Sequence, residues 1–178
     1  QRLYEGVKAS TVNRDLSTLR GLFRVLAEAD DLHAENPLKG ITDLKQERPE
    51  MSYLSTQEIE GLLSVLSGDA RRLTVLCLST GGRWGESLNM LAQNMMHGKV
   101  TFTKTKNGKA RTVPVSDEVM KYVKTKNTGR LFDVDYVEYR KVLREVKPDL
   151  PKGQATHVLR HTFAAHFMIN GGNILTLN

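Results

Sequence analysis

Thr156-His157-Val158-Leu159-Arg160-His161-Thr162-Phe163-Ala164 is the stretch on which the reading of this 178-residue chain turns. It sits in a predicted helix from about Thr156 to Ile169, stopped by Gly171-Gly172. His157 and Arg160 are three residues apart, so on a helix they point the same way. An imidazole beside a guanidinium suits phosphoryl transfer: one group moves a proton and the other neutralises developing charge. His161 and His166 invite a metal reading. The spacings of four and five fit one helix face poorly, however, and no cysteine partner or dense acidic cluster accompanies them.

Upstream lies the one clear β signal, Lys99 to Val115. Val100 and Phe102 alternate with polar residues, Asn107-Gly108 supplies a tight turn, and Thr112, Val113 and Val115 form the return strand, with Pro114 tolerated at its edge or end. The connecting run Thr103-Lys104-Thr105-Lys106-Asn107-Gly108-Lys109-Ala110-Arg111 makes a basic hairpin tip, able to reach a DNA groove or lie along a backbone. On charge alone a solvated turn explains it equally well. Further upstream, Thr80-Gly81-Gly82-Arg83-Trp84-Gly85-Glu86 reads as a glycine turn that delivers Arg83 to the start of a short helix. A fork of donors near a positive helix end suits a phosphate. Glu86, three residues on, shares Arg83's face and can orient it. An ordinary surface ion pair is the competing reading.

The rest of the chain frames these features. Val12, Leu16, Leu19, Leu22, Phe23 and Leu26 predict an amphipathic helix with Ser10 as N-cap and Arg14, Arg20 and Arg24 on the polar face. Asn36-Pro37-Leu38 reads as a turn, and the polar stretch Asp43 to Glu50 as a linker. Ser55 and Glu58 fit a capping box ahead of Ile59, Leu62, Leu63 and Leu66. Helices are further predicted from Ala70 to Ser79, from Ser116-Asp117-Glu118 through Tyr122, and across Val137, Val142, Leu143 and Val146. The fold class is mainly α with a small antiparallel β-sheet (α+β). The net charge is +6, which suits a polyanion partner. The charge is concentrated: nine Lys and Arg lie between Lys99 and Arg130, opposed by Asp117 and Glu118. A single cysteine, Cys77 in an apolar setting, excludes an intrachain disulfide and reads as core. No apolar run approaches the ~18 residues of a membrane span, and no signal-peptide pattern opens the chain.

A glycine turn into R-x-x-E, then a lysine hairpin, then H-x-x-R-H-[ST]-F-A from His157 to Ala164 resembles the tyrosine recombinase catalytic domain, and temperate-phage integrases in particular. The resemblance implies that Arg83 and Arg160 clamp the scissile DNA phosphate, that His157 joins them in proton transfer, and that a hairpin lysine protonates the departing 5′ oxygen. Lys106 fits that role by its distance to Pro114, with Lys104 and Lys109 as near misses. Glu86 is implied as a supporting residue. Lys104, Lys109, Arg111, Arg14 and Arg20 are expected DNA contacts. The implied reaction runs through a covalent 3′-phosphotyrosine and needs no metal and no cofactor. Its implied partners are double-stranded DNA at an attachment-site core and three further copies in a homotetramer, in the cytoplasm of a bacterial host.

The same resemblance divides the chain into residues 1–46, the C-terminal part of a helical core-binding domain; 47–52, a linker; and 53–178, a catalytic domain. Tyr4, Tyr53, Tyr122, Tyr136 and Tyr139 all precede His157, whereas the family's nucleophile follows it. The expectation is therefore that these 178 residues bind DNA without cleaving it. Three alternatives stand beside this one: a non-catalytic DNA-binding module on the same scaffold, a type IB topoisomerase, and a metal-dependent nuclease, the last disfavoured by the lack of clustered carboxylates.

Overall fold

The computed structural model describes residues 6–29, 35–46, 51–103 and 109–172. The chain divides into two compact units, Gln1–Pro49 and Glu50–Asn178. The second is mainly helical with a small antiparallel sheet, the architecture expected from the sequence.

In the first unit, helix α1 spans Ala9–Glu28. The carbonyl of Lys8 accepts from the N–H groups of Thr11 and Val12, so the helix starts ahead of Ser10, the expected cap, and Lys8 occupies that place with no side-chain cap bond. Nor is the expected linker free throughout. Asn13, buried on α1, donates to the carbonyl of Leu44 and accepts from its N–H, both at 2.8 Å. Arg20 donates to Asp43 and to the carbonyl of Ile41, each at 2.6 Å. The extended segment from Ile41 to Leu44 is thereby strapped to the helix. Residues 47–50 lie outside the described residues.

The second unit opens with α2, Thr56–Val65, started by the predicted capping box: Ser55 accepts from the Glu58 N–H, and Glu58 accepts from the Ser55 N–H. Helix α3 runs Gly68–Thr80 and α4 Trp84–Leu88. A sheet comes next, with β1 at Met95–Met96, β2 at Lys99–Phe102 and β3 at Arg111–Pro114, in spatial order β1-β2-β3. Strand β1 is not among the expected elements. Two residues carry no readable alternation, although His97-Gly98, both at positive φ, is the two-residue hairpin turn that marks it. Pro114 sits on an edge strand, where its missing N–H breaks no ladder.

The expected turn at Asn107-Gly108 falls between β2 and β3. The observed register sets Phe102 opposite Arg111 and Val100 opposite Val113. The turn itself, residues 104–108, lies outside the described residues.

Helices α5 (Asp117–Val123), α6 (Tyr136–Val146) and α7 (His157–Ile169) complete the unit. Leu54, Leu62, Leu73, Leu76, Met95, Val100, Val123 and Val158 are wholly buried in one core; each large aliphatic side chain contributes on the order of 2 kcal/mol. Within the core, Thr74 meets the Tyr139 hydroxyl at 2.7 Å. Thr162 accepts from the Leu54 N–H at 2.9 Å and donates to the Val158 carbonyl at 2.7 Å, fixing α7 against the segment that opens the unit. Cys77 is buried and its thiol pushed up to about 12 by that burial, an inert core residue in agreement with its apolar setting.

Candidate active site

The site forms where the end of α3, the start of α7 and the strand pair β2–β3 converge. Helix α3 is stopped by Gly81, at φ 61°. No side chain fits there: a Cβ on Gly81 would lie 2.4 Å from the Phe163 ring of α7. At Gly82 it would lie 2.4 Å from the Ser87 hydroxyl and 2.8 Å from the Phe102 ring of β2. The two glycines thus let α4, α7 and β2 close on a single corner. Arg83 leaves that corner as the extended residue before α4.

Glu86 organises the arginines around that corner. Its side chain is 8% exposed and both oxygens are engaged, Oε1 by Arg83 Nη1 at 2.8 Å and Oε2 by Arg111 Nη2 at 2.7 Å. Oε2 also accepts from the Arg83 backbone N–H at 3.3 Å. Burial raises the Glu86 carboxyl, but hydrogen bonds from Arg111 and Arg83 outweigh it and hold the group below the usual carboxylate range. The start of α4 is therefore occupied by the protein's own carboxylate, and with only five residues that helix offers little dipole to an outside anion.

Arg160, on the first turn of α7, donates from Nη1 to the carbonyl of Gly81 at 2.6 Å. Its guanidinium is held below its ordinary value by burial first, then by the nearby charges of Arg83 and Arg111, with Glu86 opposing. Three guanidinium groups thus face one carboxylate, an excess of two positive charges (three minus one) that an anion would balance. His157 begins α7 in an exposed position and, with Arg83 and Glu86, lines a groove of about 990 Å³. Trp84, Leu88, Met90, Phe102, Arg130 and Tyr136 form further parts of its wall.

Of the residues nominated from the sequence, Arg83, Glu86 and His157 line one groove, and Arg160 lies within reach of the charges of Arg83 and Glu86. Lys106 and Lys104 lie outside the described residues. Lys109 is exposed two residues ahead of β3. Arg111 turns inward rather than outward: it pairs with Glu86, stacks 4.4 Å above the Phe102 ring and is 24% exposed. Arg14 is exposed on α1, while Arg20 is held by Asp43. Among the described residues no three His, Cys, Asp or Glu side chains stand close enough to hold a metal. His166 bonds the Leu54 carbonyl at 2.9 Å instead. His161 is kept below its ordinary value by burial, then by His157 and Arg160. The inward role of Arg111 is the one that sequence reasoning missed, although a signal for it exists. Arg111 alternates with Val113 and Val115, so the pleat puts it on their face. No helix of the described residues is long and apolar enough to cross a membrane.

A mainly α domain that presents an arginine from a glycine corner, a basic hairpin and an H-x-x-R helix has the fold of the tyrosine recombinase catalytic domains. The profile described as "Phage integrase family" matches residues 52–178, and that of "Phage integrase, N-terminal domain" matches residues 1–45. The chain belongs to the phage integrase family. It is 50% identical over 177 residues to the integrase of Escherichia phage P2, covering 99% of this chain and 52% of that one. The catalytic domain of bacteriophage HP1 integrase superposes with a TM-score of 0.66 at 44% identity, over 72% of this chain and 78% of that one. The Tn1549 transposon integrase, solved in complex with circular intermediate DNA, superposes with a TM-score of 0.73 at 20% identity, over 98% and 71% of the two chains. That last likeness shows the fold alone. The chain spans about half the length of the curated relatives it matches.

Proposed function

We propose that this chain carries the phosphate-clamping part of a site-specific DNA recombinase. The observation that supports it best is the set of three guanidinium groups, Arg83, Arg111 and Arg160, with one carboxylate among them and His157 alongside. Attack on a phosphodiester builds charge on the non-bridging oxygens, and guanidiniums already held in place stabilise that charge without reorganising. In this reading Arg83 and Arg160 hold the scissile phosphate and His157 assists proton transfer. Lys106 protonates the departing 5′ oxygen as a tyrosine oxygen bonds to phosphorus. The 3′-phosphotyrosine conserves the bond for religation, when a 5′ hydroxyl displaces the tyrosine. No metal or cofactor enters.

The partner is double-stranded DNA at an attachment-site core, in the cytoplasm of a bacterial host, with four copies acting on two duplexes. Residues 1–46 belong to the core-binding domain, 47–52 to a linker and 53–178 to the catalytic domain. None of the five tyrosines supplies the nucleophile, so residues 1–178 bind DNA without cutting it. Titration of a fluorescent duplex at several salt concentrations tests the reading. Binding should weaken linearly on a log–log plot as salt rises, and Arg83→Ala and Arg160→Ala should each weaken it. Salt-independent binding, or binding indifferent to both substitutions, would overturn it.

A further inference from the structure

We infer that Arg111 is a positioning residue: through Glu86 it sets the orientation of Arg83 and ties the second strand of the hairpin to the phosphate clamp. The inference deepens the reading above and rests on it.

Four observations carry it. First, Glu86 is nearly closed off from solvent and spends Oε1 on the Arg83 guanidinium and Oε2 on that of Arg111, so a swing of Arg83 leaves a buried oxygen unpaired and a swing of Arg111 leaves Oε2 with only the 3.3 Å bond from the Arg83 N–H. Second, Arg111 is held from two directions, by Glu86 at 2.7 Å and by the Phe102 ring at 4.4 Å, and Phe102 is itself buried. Third, the Phe102 ring also closes on Gly82, the residue before Arg83, so stack, corner and ion pair share one support. Fourth, Arg83 keeps 40% of its side chain exposed while Arg111 keeps 24%. Arg83 therefore retains donors for an outside phosphate, whereas Arg111 commits its fork inward. Arg111 is also the first residue of β3, so whatever places that strand is felt at Arg83. The geometry assigns Arg111 to holding the clamp and not to gripping DNA.

The test uses residues 1–178 with inorganic phosphate as the probe, read through the arginine Nε–H signals of Arg83 and Arg160 by NMR. A parallel measurement gives the salt dependence of duplex binding. Arg111→Met is expected to weaken phosphate about tenfold, to abolish the Arg83 response while Arg160 still responds, and to leave the salt slope unchanged. Glu86→Gln should give the same loss, and the double variant should be no worse than either single one, because both act through one link. Arg111→Lys keeps the charge but not the fork, and should restore only part of the Arg83 response.

Two results would overturn the inference alone: an Arg111→Met chain in which Arg83 answers phosphate as in the parent, or one whose salt slope falls by about one phosphate contact with losses that add to those of Glu86→Gln. If Arg83 and Arg160 of the unaltered chain both ignore phosphate, the clamp reading itself fails and takes the inference with it. Should Arg111→Met not fold, Arg111→Lys and Glu86→Gln decide the same question.

Discussion

Arg160 and Gly81 are joined by a 2.6 Å hydrogen bond from guanidinium to carbonyl, across seventy-nine positions of sequence. The bond needs a carbonyl that α3 no longer uses, and the left-handed residue at the helix end frees it. Helix termination and the placement of the Arg160 guanidinium are therefore one feature. The glycine that ends the helix also orients that arginine.

Gly81→Ala should consequently damage stability and function together. The new Cβ meets the Phe163 ring at 2.4 Å and the backbone stays at φ 61°. The conformation alone costs about 1–2 kcal/mol in an L residue, and relieving the overlap costs about 1–3 kcal/mol more. Urea unfolding should show a loss of unfolding free energy of that order, read as a lower midpoint. A shift within experimental error would mean that the corner relaxes freely.

The ion pairs at Glu86 predict an acid-side loss of stability. The folded-state carboxyl lies below its ordinary value of 4.5. The stabilisation it gives is fully present above that value and fades as pH falls through the lower folded pKa. Replacing Glu86 with Gln removes this contribution. The substituted chain should be less stable near neutral pH, and its stability should fall less steeply below about 4.5. Thermal unfolding between about pH 3 and 7 checks both; parallel curves for the two chains would contradict the assignment.

Much of the second unit can be read from its sequence because local signals agree with tertiary demands. Ser55 and Glu58 have the pattern of a capping box and form one; Ser116 accepts from the Val119 N–H as a cap should. Misreadings arise where long-range partners decide. Ser10 looks like a cap, but the Lys8 carbonyl already serves the first turn. The polar segment from Asp43 looks like a linker, and only Asn13 and Arg20 of α1 reveal that its start, Asp43 and Leu44, is strapped to the helix. In the site, the composition of the clamp is visible from residue types and order. The inward commitment of Arg111 depends on a carboxylate twenty-five residues away, and charge counting treats every arginine as outward until that partner is known.

Lys109 and Arg111 should separate cleanly in DNA binding. Lys109 is exposed two residues ahead of β3, whereas Arg111 is turned toward Glu86. Lys109→Ala is expected to lower the slope of log affinity against log salt by about one. Arg111→Ala should lower the melting temperature instead. Equal slopes for the Lys109 variant and the parent would remove Lys109 from the interface.

The sharpest prediction concerns the tyrosines. Tyr139 is 2% exposed, its hydroxyl lies against Thr74, and burial pushes it well above the ordinary phenol value, so it cannot meet a phosphate. Tyr53 lies edge-on to His166, and Tyr122 beneath Arg71. Tyr136 is different: it is 40% exposed and lines the same groove as Arg83 and His157. Its ring packs against Trp84, with centroids 6.0 Å apart, and sits on the first turn of α6. The ring is held there by Trp84 and by Arg140, whose guanidinium lies 5.5 Å from it, and it forms part of the groove wall. Residues 1–178 incubated with a nicked suicide duplex bearing an attachment-site core should therefore form no protein–DNA adduct on a denaturing gel, and Tyr136→Phe should leave duplex binding unchanged. An adduct that forms with the parent chain and disappears with Tyr136→Phe would make Tyr136 the nucleophile and reverse the assignment.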